Sequence, residues 1–161
     1  MNFREQFDSF EQAKDHPSPH YIQRNGIAKK RRYKLIGGGY IALCNRTNLY
    51  LDLFNPVPYV VVRHIGWGEI GVLSHKKLKV GEDYIIALPS DGSVIGKVVY
   101  SSRSFLLPTL YRSRIFLHTL PSPAQFEQWL PFIPSLDIID FKNDYQSMMR
   151  EDALSSSRTQ F

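Results

Sequence analysis

The strongest restriction on the fold is the even spacing of short β-type runs between residues 40 and 118, each closed by turn-forming residues. The runs are Tyr40 to Cys44, Leu49 to Phe54, Tyr59 to Ile65, Glu69 to Ser74, Asp83 to Leu88, Val94 to Ser101 and Tyr111 to His118. Val60, Val61, Val62, Ile65, Ile70 and Val72 are β-branched, which suits a pleated, half-buried surface. Asn45-Arg46-Thr47-Asn48, Asn55-Pro56, Lys79-Val80-Gly81 and Ser90-Asp91-Gly92-Ser93 supply positive-φ tolerance or a fixed proline φ, so turns are expected there. No helical period of useful length interrupts residues 40 to 118, which argues against a parallel α/β sheet and its dinucleotide crevice. An antiparallel sandwich or barrel is the expectation. At its centre lies a glycine-rich corner, Ile65-Gly66-Trp67-Gly68-Glu69-Ile70-Gly71, whose bare backbone suits a bulge, a sharp bend or the close approach of a ligand.

Helices are expected at both ends. Asn2 and Glu5 form a capping-box pattern, and Phe3, Phe7 and Phe10 fall on one face of a helix over residues 2 to 14. His16-Pro17-Ser18-Pro19-His20 then breaks it into a linker. Ser122-Pro123-Ala124-Gln125 reopens helix with a serine N-cap, a proline at the first position and a glutamine at the third. Pro131 and Pro134 limit that helix to about two turns, and Phe141, Tyr145, Met148 and Met149 fit another. Residues 151 to 161 read as a polar, serine-rich disordered tail.

A chain of 161 residues is long enough for one domain with a real core. Its 20 Lys and Arg against 15 Asp and Glu leave a formal charge of +5, which favours anionic partners. Lone Cys44 excludes an internal disulfide framework and any multi-cysteine metal site, and no apolar run is long enough to span a bilayer. The expectation is a cytoplasmic protein with no cofactor and no metal. Lys29-Lys30-Arg31-Arg32-Tyr33-Lys34 holds five of the cationic residues in six positions and suits phosphate. Gly37-Gly38-Gly39 follows without the lysine and serine or threonine of a P-loop, so it reads as a turn. No nucleophile elbow or HExxH pattern is present, and no enzyme activity is expected.

With these parts in this order, the chain resembles the PilZ domains, small bacterial β-barrels that sense cyclic di-GMP, over Asn25 to Pro131. Lys30-Arg31-Arg32-Tyr33-Lys34 stands where the family has R-x-x-x-R, and His64-Ile65-Gly66-Trp67-Gly68-Glu69 where it has D/N-x-S-x-x-G. Leu78-Lys79-Val80-Gly81-Glu82 resembles a further family segment. Ile86-Ala87-Leu88-Pro89 with Gly96-Lys97-Val98-Val99 looks like the family's hairpin, and Arg114-Ile115-Phe116-Leu117 like its last strand. The resemblance implies a mainly β fold, a six- to seven-stranded antiparallel β-barrel of split-barrel type with short N-terminal and C-terminal helices. It divides the chain into a helix and linker (1–24), the barrel (25–120), a helical segment (121–150) and the tail (151–161).

The resemblance also implies a site for cyclic di-GMP or another anion at Lys30, Arg31, Arg32, Lys34, Arg63, His64, Gly66 and Gly68. Trp67, at the glycine corner, is the expected partner-binding residue. Lysine at 30 and 34 keeps the charge but loses the planar fork of arginine. His64 offers no carboxylate to a guanine, Gly66 no hydroxyl, and Glu69 adds a charge that would repel phosphate. The leading expectation is therefore an atypical signalling adaptor acting through contacts with a protein partner in a bacterial signalling or motility pathway, with weak or no cyclic di-GMP binding. A direct cyclic di-GMP receptor governing motility, pili or polysaccharide output is the first alternative. A basic barrel for single-stranded nucleic acid is the second and less favoured one, its charges standing in one run instead of along a groove.

Overall fold

The computed structural model describes residues 32–47, 59–66 and 68–158, with side chains as far as residue 154. The helix expected over 2 to 14, the run Leu49 to Phe54, and Lys30, Arg31 and Trp67 lie outside these residues. The strands are β1 (Arg32–Lys34), β2 (Tyr40–Arg46), β3 (Tyr59–Gly66), β4 (Glu69–Ser74), β5 (Asp83–Ala87), β6 (Ser93–Arg103) and β7 (Tyr111–Leu117). Helices α1 (Pro123–Glu127) and α2 (Ile138–Arg158) follow. Neighbours run β3-β2-β5-β6-β7-β4, and β4 pairs back onto β3, which closes a six-stranded antiparallel barrel. The short β1 joins β3 as a seventh strand beyond the part paired with β2.

Alternation along each strand builds the core, because side chains of period two fall on one face. On β6, Val94, Gly96 and Val98 point in, while Ser93, Ile95 and Lys97 are exposed. Two β-bulges break this rule. One on β3, between Val62 and His64, lets Ile65 resume the inner row in place of His64. Another on β6, between Val98 and Tyr100, puts Ser101 in the buried position and leaves Tyr100 exposed.

Gly37, Gly38 and Gly39 make the expected turn, all at positive φ, between β1 and β2. Both strands pair with β3, so the turn must lie tight against it. A Cβ on Gly39 would stand 1.8 Å from the Val62 carbonyl oxygen, a collision no side chain avoids. The turns at Gly81 (φ 89) and Gly92 (φ 80) also fall where the sequence places them.

Ser122 makes the capping box with Gln125 that opens α1. Just after it, the Gln128 side chain accepts from the amides of Ser90 and Asp91 and donates to the Asp91 carbonyl, pinning the β5–β6 hairpin. Trp129, 2% exposed, closes the core and donates its indole N–H to the Tyr40 hydroxyl at 3.1 Å. Burial pushes the Tyr40 phenol up to about 12, so it stays neutral and donates in turn to the Ala87 carbonyl.

On α2, Phe141, Tyr145 and Met148 form the buried stripe at helical spacing. Phe126 stacks on Tyr145 at 3.9 Å between ring centroids, and Phe141 meets Tyr33 of β1 edge-on at 5.0 Å. The Tyr33 hydroxyl also donates to the Asp144 carboxylate, so α2 is tied to β1. Helix continues through Arg158, where the serine-rich sequence reads as a tail. Once nucleated against the barrel, each further residue adds a hydrogen bond for little extra ordering.

Candidate anion-binding face

Antiparallel partners project on the same side of a sheet, so the strand registers show which side chains share the outer wall. β1 sets Arg32 opposite Gly66 and Lys34 opposite His64. β4 extends these rows with Glu69 opposite Gly66 and Gly71 opposite His64. β7 then places Phe116 opposite Glu69 and Arg114 opposite Gly71. β6 ends the rows with Lys97 and Tyr100. A third row runs through Val61, Leu73, Arg112 and Ser102. All three lie outside the barrel, since Ile65, Ile70 and Ile115, which lie between the first two rows, belong to the core.

The face is strongly cationic. Arg32 and Arg114 flank Glu69, Lys34, Arg63 and Arg112 stand near His64, and Lys97 ends the first row, so six cations face one carboxylate, a surplus of five positive charges. Glu69, read in the sequence as a charge repelling phosphate, is buried and held by two guanidiniums. Arg32 pairs with one of its oxygens, and Arg114 Nη2 reaches the other at 2.9 Å. A buried carboxylate without such partners would cost several kcal/mol. Its negative charge is balanced within the face by these two guanidiniums. Arg32 is correspondingly committed, while Lys34 and Arg112 stand exposed to solvent. Arg63 is 6% exposed, and burial draws its guanidinium below its ordinary value.

His64 records this field. Burial, and then the charges of Arg63, Arg32, Lys34 and Arg112, pull its imidazole from 6.5 to about 4. It is therefore neutral at pH 7 and offers a donor and an acceptor. The ring packs across Gly71, where a Cβ would come within 3.3 Å of the His64 Cβ. Gly66 and Gly71 add no side chains of their own to these rows, and Gly68, at φ 65, makes the turn beside them.

Of the residues singled out in the sequence, Arg32, Lys34, Arg63, His64, Gly66 and Gly68 come together here. Lys30, Arg31 and Trp67 lie outside the described residues. The sequence reasoning missed Arg112, Arg114, Tyr100 and Phe116 as parts of the face. A usable signal was present on β7, where Arg112, Arg114 and Phe116 recur with the strand period of two. Two other tyrosines stand apart from the face: Tyr40 is buried in the core, and Tyr59 packs with Val61, Leu73 and Leu110 in a second apolar cluster. His118, just past the end of β7, pairs with Asp83 of β5 at 2.7 Å, whereas His64 is on β3. Among the described residues, no group of three or more His, Cys, Asp or Glu is placed to hold a metal, and no helix is long and apolar enough to cross a membrane. No protein-family model matches the chain, and no curated protein matches it.

Proposed function

We propose that the chain is a non-catalytic, PilZ-like binding module whose basic outer face takes a phosphate-bearing nucleotide and relays that state to a protein partner. Cyclic di-GMP is the ligand that the resemblance implies. The observation that carries this reading is the register of β1 on β3, which sets Arg32 and Lys34 beside Gly66 and His64. A basic run and a glycine corner separated by about thirty residues thereby become one surface, reinforced by Arg112 and Arg114 from β7. Neutralisation of Glu69 removes the objection that its charge would repel phosphate. Lysine in place of arginine at 34 makes the contact weaker and more sensitive to salt than a bidentate fork.

Calorimetric titration with cyclic di-GMP at low and moderate salt, with GTP as the control anion, tests this. The expected result is saturable binding that weakens with salt and falls at least tenfold in a Lys34→Ala, Arg112→Ala double variant. Absence of heat and of chemical-shift change at low salt up to about 1 mM ligand, where binding is worth only about 4 kcal/mol, would overturn it. Generic oligonucleotides binding more tightly than the dinucleotide would assign the face to single-stranded nucleic acid.

A second reading rests on Phe105 and Leu106, 97% and 55% exposed at the tip of the β6–β7 loop. The base of that loop is anchored through Leu107 and Leu110 to the second apolar cluster, so the tip is presented on a fixed stem. This is the surface expected of an adaptor that acts through protein contacts. A null titration would leave it as the functional surface.

A further inference from the structure

We propose that β6 and β7 carry a base-stacking subsite on the same wall, formed by the Tyr100–Arg112 and Phe116–Arg114 pairs, so that the ligand of the basic face bears aromatic bases. The inference rests on the reading of that face as a nucleotide site and adds the residues that would hold the bases. Tyr100 and Phe116 are 41% and 46% exposed, although Val98 and Ile115 on the same two strands are fully buried. A large ring left in water on a strand is unfavourable unless something covers it. What partly covers these rings is charge. The guanidinium carbon of Arg112 lies 6.0 Å from the Tyr100 ring centre, and that of Arg114 lies 5.8 Å from the Phe116 ring centre. Ring and guanidinium are both flat and both stack on a nucleobase whatever its identity.

Each pair is held in place. The Tyr100 hydroxyl shares a 2.6 Å hydrogen bond with the Ser102 hydroxyl, which limits rotation of the ring off the wall. Arg114 is anchored at its far end by Glu69. Tyr100 stands opposite Arg114 on the ladder, and Phe116 lies two residues farther along β7. Such diagonal neighbours are about 7–8 Å apart, roughly twice the ~3.4 Å rise between stacked bases. The two platforms therefore take two bases that are not stacked on each other. The phosphates joining them fall toward Arg112 and Arg114, the cations nearest the two rings.

The test compares pyrophosphate, GMP and cyclic di-GMP on the wild type and on the Tyr100→Leu and Phe116→Leu variants, with folding checked by circular dichroism. Leucine preserves apolar bulk and removes the ring. The dinucleotide is expected to bind at least tenfold more tightly than pyrophosphate. Each leucine variant should lose about tenfold in dinucleotide affinity, equivalent to ~1.4 kcal/mol, and keep its affinity for pyrophosphate. Pyrophosphate binding as tightly as the dinucleotide would overturn the subsite and leave the anion site standing, as would leucine variants with unchanged dinucleotide affinity. Failure of pyrophosphate and both nucleotides to bind would overturn the anion site and the subsite together.

Discussion

His64 provides the sharpest test of the charged face, because its ionisation reports the field of its neighbours. The imidazole is held at about 4 against an ordinary 6.5, first by burial and then by Arg63, Arg32, Lys34 and Arg112. Between those two values the unfolded chain binds a proton at His64 that the native state refuses. Stability from this group is therefore full above pH 6.5, declines as the pH falls, and is lost near pH 4. At ~1.4 kcal/mol per pH unit, the gap from 6.5 to about 4 amounts to about 3 kcal/mol. Carboxylates titrate in the same window, so the informative quantity is the difference between the wild type and His64→Gln, which keeps a polar side chain and cannot titrate. Urea unfolding of both proteins from about pH 4 to 7 should show the wild type losing about 3 kcal/mol more than the variant. An NMR titration of the His64 ring proton should place its midpoint near 4 directly. A midpoint near 6.5, or parallel loss of stability in the two proteins, would refute both the burial of the ring and the cation cluster around it. A phosphate bound on the face would partly cancel the four cations and raise the midpoint.

Replacing Gly39 by alanine should cost more than about 2 kcal/mol in urea unfolding, since the residue has φ 103 and its new Cβ would meet the Val62 carbonyl oxygen at 1.8 Å; a loss below ~0.5 kcal/mol would show that the glycine turn is not pressed against β3. Tyr33→Phe removes the hydroxyl that donates to Asp144 and should lower stability by about 1.5–3 kcal/mol. It should also speed amide exchange along α2, and unchanged exchange would mean that α2 is not tied to β1 through this contact.

Much of the architecture was legible because its signals are local. Period-two runs, turn glycines at 81 and 92, and the Ser122-Pro123-Ala124-Gln125 start each act within a few residues, where propensity and capping dominate. The inward positions Val94, Gly96 and Val98 of β6 follow from alternation alone, and the turn at residues 37 to 39 from three glycines in succession. The candidate site was half legible. Arg32 and Lys34 stand out as a charge run, and His64, Gly66 and Gly68 as part of a glycine corner, but the sequence does not show that the run and the corner share a wall.

That juxtaposition, and the arrival of Arg112, Arg114, Tyr100 and Phe116, depend on which strands become neighbours and in what register. Ladder pairing between segments far apart in the chain is decided by how the whole barrel closes over its core, and no local propensity encodes it. The two bulges make the point most directly. Strict alternation from Val62 and from Val98 would carry His64 and Tyr100 inward. One extra residue in each strand, absorbed where the barrel bends, puts both at positions of the same outer row, on either side of Arg114. Composition and pattern determined that this chain makes a basic antiparallel β structure; only closure of the barrel decided where its charges and rings meet.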